Sequence, residues 1–181
     1  MEFRASDYGQ TVQSILALGG DGLRVMPLAP GAKTSAEAYR QLQQLNAKAL
    51  FPTAASPQGA MCGLYLYFSC LDDAHKIAQD LETADGSFWH GIMHRQEPDP
   101  ENAGHWFRRV GKHPVFPALA AAARGLSYPA GSEWDPFVFI DFCEAARQNP
   151  ASKEAELAMQ VQLAEWQLLF DHCARSGRTP S

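Results

Sequence analysis

No stretch of the 181-residue chain approaches the roughly 18 unbroken apolar residues that a membrane span requires. Runs of like charge are missing too, and the formal net charge is -5. Neither a sequence-independent grip on nucleic acid nor adhesion to an acidic membrane surface is therefore expected. The residues after Met1, EFRASDYGQ, lack the basic, apolar, small-residue succession of a signal peptide, so the expected location is the cytoplasm. GxGxxG, GxxxxGK[ST], GxSxG and Cys-His nucleophile patterns are absent from any suitable context, which removes most nucleotide-dependent and acyl-transfer chemistries. Fixed-period repeats and low-complexity tracts are also wanting. Close cysteine pairs do not occur: Cys62, Cys70, Cys143 and Cys173 are widely spaced, each in an apolar helical pattern. A cysteine zinc site needs such pairs, and disulfide scaffolds are short secreted chains, so buried free thiols are expected.

What the chain has is material for a core. Its apolar fraction is 46% against 19% charged, with ten Phe, four Trp and five Tyr to bury. Length and composition point to one all-α domain over residues 1–181, a helical bundle of about seven helices. Tyr8 to Leu18 reads as a helix closed by Gly19 and Gly20, and MPLAPG at 26–31 as a surface connection. Thr34 or Ser35 can cap a helix through AEAYRQLQQLNAKAL that Pro52 stops. Residues 60–81 carry Leu64, Phe68, Leu71, Ala74, Ala78 and Leu81 as one stripe, so a long central helix is expected there. GLYLYFS within it has strand-like alternation, but the downstream stripe favours helix. PALAAAARGL is a good helix former. Asp135 and Pro136 open a helix that Pro150 ends, and Ser152 caps a second central helix over 153–175, released by Gly177.

The densest chemistry lies in HGIMHRQEPDPENAGHWFRR, residues 90–109, with three of the six histidines and three arginines. Taking 85–97 as a helix at about 100° per residue with His90 at zero, His94 falls near about 40° and Glu97 near about 340°. Phe88, Trp89, Ile92 and Met93 occupy roughly 160–300°, nearly opposite. Pro98 and Pro100 break the chain, and Asp99 caps a second helix with Pro100 at its first position. On that helix Ala103, Trp106, Phe107 and Val110 share one face, and Glu101, Asn102, Arg108 and Arg109 flank His105. The two should pack as an antiparallel hairpin at 85–110, aromatics inward, bringing their polar stripes close, with Lys112 and His113 just beyond.

Three readings share these residues. In the first, His90, His94 and Glu97 present ligands on one side of a helix and His105 completes a four-coordinate shell for a divalent metal. HExxH hydrolase chemistry is disfavoured, because Gly91 stands where its glutamate would be. In the second, Arg108 and Arg109 bind a small anionic molecule beside histidines able to exchange protons. In the third, Arg95, Arg108, Arg109, Glu97 and Glu101 form a solvated ion-pair network, and the polar face is a surface, a homo-oligomer contact or a partner interface of a non-enzymatic protein.

The string HGIMHRQEPDPENAGHWFRRVGKHPVF resembles the most recognisable segment of a family of hypothetical proteins from bacteria and fungi, of the form HxxxHRxExDxxNAxxWxRRxGxHPxF. The resemblance covers about 27 residues and implies no activity. It would carry over to His90, His94, Arg95, Glu97, Asp99, Asn102, Ala103, Trp106, Arg108, Arg109, Gly111, His113 and Pro114. ENAGHWFRR also resembles the second helix of Sel1-like and tetratricopeptide repeats, but a stacked array needs about three units and only one is present.

Two further features invite a role. Asp141 within FVFIDFC and Glu144 can share a face of an apolar helix, where a buried carboxylate would take Arg108 or Arg109 as partner or serve as a general base. His75, beside Leu71 and Ala78 with Asp72 and Asp73 a turn earlier, reads as a helix-stabilising or core histidine rather than a ligand. The leading expectation is a polar site at the hairpin, binding a small anion or a divalent metal.

Overall fold

The computed structural model describes residues 2–176, and among them every regular element is helical. A 3-10 turn at Ala5–Tyr8 precedes α1 (Gln10–Ala17), α2 (Ala36–Gln43), α3 (Ala47–Leu50), α4 (Pro57–Tyr67) and α5 (Leu71–Gln79). Then follow α6 (Ala84–Gln96), α7 (Pro100–Val110), α8 (Phe116–Gly125), α9 (Pro136–Arg147) and α10 (Lys153–Ala174). The all-α expectation holds, with ten α-helices rather than about seven among the described residues. None is long and apolar enough to cross a membrane. Gly177, expected to release α10, lies outside the described residues.

The extra helices come from breaks inside expected ones. The helix expected over 36–50 stops at Gln43, and Asn46 starts α3 by accepting from the amides of Lys48 and Ala49 at 2.9 and 3.3 Å. The long helix expected over 60–81 is two helices. Ser69 adopts φ +58°, the Ser69 amide donates to Leu66 O at 3.0 Å, and the Cys70 amide reaches back to Tyr65 O at 2.9 Å. That pair of bonds is a Schellman ending, which satisfies the last carbonyls of α4 and turns the chain. Here a serine fills the left-handed position that glycine usually takes, so the stripe of apolar residues ran on without any local stop signal.

Local capping set the other boundaries. Ser35, Asp99, Asp135 and Ser152 each accept a backbone amide at the start of α2, α7, α9 and α10. Substitution of such a cap by alanine costs about 1 kcal/mol. Gly111 ends α7 at φ +61°, ψ -129°, a conformation that a side chain opposes.

The centre of the molecule is where α4, α6 and α10 meet. All of Gly59–Tyr67 in α4 is buried. Trp166 of α10 donates from Nε1 to Gly63 O at 2.8 Å, and a Cβ on Gly63 would stand 2.9 Å from the Trp89 ring of α6. The Trp89 and Phe170 rings that press on this position leave little room for a side chain, which favours glycine here. The four cysteines are buried free thiols, and burial pushes Cys143 up to about 12.

α6 and α7 pack against one another, and Gly91 lets them approach: a Cβ there would meet the Phe107 ring at 2.6 Å. The apolar residues of α6 face inward as expected, with Phe88, Trp89, Ile92 and Met93 fully buried, each contributing about 2 kcal/mol of transfer free energy. Phe107 of α7 joins them, whereas Trp106, expected inward too, is only partly buried. The polar face of α6 is not a solvent face, however. His90 is buried and His94 and Glu97 are half-buried, because α5 lies along that side.

Arg95 is the largest departure. Instead of joining a solvated network it is fully buried and paired with Glu165 of α10, also fully buried. Its Nη1 donates to Glu165 Oε1 at 3.2 Å, and its Nη2 to Glu165 Oε2 and to Gln162 Oε1, the latter at 3.3 Å. The Phe139 ring covers the guanidinium at 4.6 Å. Gln162 passes the connection on, donating to Met26 O and Pro27 O at 3.2 and 3.1 Å. Arg147 of α9 closes the end of α6 by donating to Arg95 O at 2.6 Å, and reaches Leu28 O at 2.8 Å. Pairing offsets part of the burial cost of these charges, Arg95 Nε being left without a partner, and the pair links α6 to α10.

Candidate metal centre

His90 and His94 stand one turn apart on α6, and the neighbouring helix α5 supplies His75. Small buried residues, Ala74 and Ala78, seat α5 on the core and leave His75 beside them facing α6. Each of the three imidazoles can present a nitrogen such that all three lie within 4.8 Å of one another. The rings are close in every pairing: 5.2 Å between the centroids of His75 and His90, 5.0 Å for His75 and His94, and 5.9 Å for His90 and His94.

Glu97 sits between two of them. Its Oε1 is 3.0 Å from His75 Nε2, and its Oε2 is 3.1 Å from His94 Nδ1, an approach bent away from hydrogen-bond alignment. Asp99 Oδ2 is 3.9 Å from the same His94 nitrogen. His90 Nδ1 is buried with no hydrogen-bond partner at all. A buried polar nitrogen without a partner costs about 1–3 kcal/mol, a penalty that a ligand would remove. Trp106 of α7 roofs the group, stacked on His90 at 4.0 Å and 6° from parallel, with the Arg109 guanidinium 4.8 Å from the Trp106 ring.

Burial disfavours the charged forms of His90 and His94. Burial, followed by the neighbouring His75, His94 and Arg109, lowers His90 to about 4. His94 is also lowered, by burial first, against the opposing pull of Glu97. Neutral imidazole has a lone pair to offer, so near neutral pH no proton need be displaced from either ring.

A second cluster joins Asp85 at the start of α6, His113 after α7 and His172 near the end of α10. His113 Nε2 lies 3.0 Å from Asp85 Oδ1, and His172 Nε2 lies 3.3 Å from the same oxygen. His113 Nδ1 accepts from the Val115 amide at 3.3 Å. That bond puts the His113 proton on Nε2, where it is donated to Asp85 and leaves no lone pair for a metal. Burial opposes ionisation of Asp85, but the bonds from His113 and His172 prevail and hold its carboxyl well below the usual range. The hydrogen bond to Asp85 in turn raises His172. This cluster ties three chain segments together.

Of the residues singled out in the sequence, the structure brings together His90, His94 and Glu97. His105, Arg108 and Arg109 are exposed on α7, and His105 stands apart from the three-histidine group. Asp141 is exposed on α9 and pairs with neither Arg108 nor Arg109, while its neighbour Glu144 pairs with Arg147. The two polar stripes of the hairpin do not merge, because α5 and Trp106 occupy the side where they would meet.

Sequence reasoning missed His75 and the burial of Arg95. No local pattern marks His75, since its role depends on the reversal at Ser69. Arg95 did carry a signal: on the same wheel it falls at about 140°, next to Phe88 at about 160° on the apolar face. Comparison with protein-family models, curated proteins and solved structures finds no match to the chain.

Proposed function

We propose that the protein binds one divalent transition-metal ion through His75, His90 and His94, with Glu97 orienting the rings. The observation that carries this reading is the convergence of three imidazole nitrogens within 4.8 Å in a largely buried setting. An all-nitrogen set suits zinc, nickel, cobalt or copper, and disfavours magnesium or calcium, which take oxygen ligands. At metal-nitrogen distances of about 2.0–2.1 Å, tetrahedral neighbours stand about 3.4 Å apart, so the rings need to close by about 1–1.5 Å. Glu97 supports that closure, because a carboxylate holding the far nitrogen of a ligating histidine fixes its tautomer and strengthens its lone pair. Three protein nitrogens leave a fourth position for water or an anion.

Elemental analysis of protein purified without an affinity tag tests the reading. About one equivalent of a transition metal is expected, lost in the His90→Ala, His94→Ala double variant and weakened by His75→Ala. Trp106 provides a second readout, since nickel or copper bound beside His90 should quench a fluorescence component that Trp106→Phe lacks. Metal below a tenth of an equivalent, with no saturable quenching in the intact protein, overturns it.

A further inference from the structure

On the far side of α7 from the histidines, the end of α7, the start of α8, residues 128–135 and the start of α9 enclose a cleft of about 880 Å³. Sites for small organic molecules run from about 300 to 1,000 Å³ and are mostly apolar with a few placed polar groups. The walls fit that description, with Phe107, Phe116, Tyr128, Trp134 and Phe137 all lining the space. At its mouth Phe137 is 40% and Val138 55% exposed, large apolar surface left open to water.

The polar groups in the lining are unbalanced in favour of donors. Arg108 and Lys112 both face the cleft, and among the described residues no carboxylate comes within ion-pair distance of either. Trp134 is 6% exposed, and its indole N–H is buried without an acceptor. On the acidic side, the Asp135 carboxylate is engaged in capping α9, accepting from the amides of Phe137 and Val138 at 2.9 and 3.2 Å. Glu133, exposed, is the one other acid in the lining. Cations without partners next to an aromatic wall select an apolar body that ends in an anion.

We propose that this cleft binds a small apolar carboxylic acid, aryl or alkyl, with its body on Phe107, Phe116 and Phe137 and its carboxylate toward Arg108 and Lys112. The preference is informative because it runs against the protein's net charge of -5, which would draw in cations non-specifically.

The probe is anilinonaphthalene sulfonate bound to the full chain, displaced by decanoate and, for comparison, by decylammonium. Saturable binding is expected, with decanoate displacing the dye at concentrations at least about tenfold lower than decylammonium. Arg108→Gln with Lys112→Gln, both on exposed side chains, should narrow that difference to threefold or less while the circular dichroism stays unchanged. The same titration in the His90→Ala, His94→Ala variant should match the parent, which separates failure of the cleft from failure of the metal site. Equal displacement by the two amphiphiles, absence of saturable dye binding, or an undiminished preference in the double glutamine variant overturns the proposal.

Discussion

Glu165→Leu offers the sharpest test of how α6 is held. In the native protein the Arg95 guanidinium is fully buried and shares both of its terminal nitrogens with the Glu165 carboxylate. Leucine fills most of the glutamate's volume but leaves the cation with Gln162 Oε1 at 3.3 Å and the Phe139 face as its surroundings. Breaking one side of a buried pair costs about 3–5 kcal/mol, because the remaining charge has lost both water and partner. With a urea m-value of about 2 kcal/mol/M, the unfolding midpoint should fall by about 1.5–2.5 M. Removing both charges, as Arg95→Met with Glu165→Leu, leaves a well-filled apolar contact and should recover at least about 2 kcal/mol of that loss. Equilibrium urea denaturation followed by circular dichroism measures all three proteins. A single variant that loses less than about 1 kcal/mol, or a double variant less stable than the single, would refute the buried-pair account. Arg95 directly follows His94, so Glu165→Leu should also weaken metal binding more than the double replacement does.

The remaining expectations concern packing and pH. Gly91→Ala puts a methyl group 2.6 Å from the Phe107 ring, and forced repacking of α6 against α7 should cost about 1–3 kcal/mol in the same urea assay; a neutral effect would mean that the ring moves freely. Asp85, held low, stabilises the fold above the ordinary carboxylate range near about pH 4 and loses that contribution as pH falls, whereas His172, held high, contributes below about pH 6.5 and loses it as pH rises. The stability difference between the parent and Asp85→Asn should therefore peak between about pH 5 and 6 and shrink on either side; a difference that stays flat across the range contradicts the tie among Asp85, His113 and His172.

Where the chain announced its structure, it did so through short-range chemistry. Ser35, Asp99, Asp135 and Ser152 cap the helices they were expected to cap, because a side-chain oxygen and an amide two or three residues on meet without help from the rest of the fold. The inward face of α6 was equally legible from the 3.6-residue period, while Trp106 of α7, expected inward, lies over His90 instead. What escaped was non-local. Ser69 ends α4 in a conformation that gives no compositional warning, and the turn it makes carries His75 to α6. The complete polar face of α6 suggested solvent, and only the packing of α5 shows that it is covered. Three of the four members of the candidate site, His90, His94 and Glu97, were thus visible as a pattern on one helix, while the third imidazole came from a neighbour no helical wheel contains.

The reversal at Ser69 has a kinetic side. Only Ala74 and Ala78 of α5 are fully buried, with Leu71 and Ile77 half-buried against the core, so it is held less firmly than α4 or α6 and belongs with the segments that detach first in local opening. A metal shared between His75 on this lightly anchored helix and two histidines on a deeply buried one would act as a staple across the joint. Its release would then be gated by the lifting of α5, and amide exchange along Leu71–Gln79 would slow on metal binding while the core of α6 barely changed.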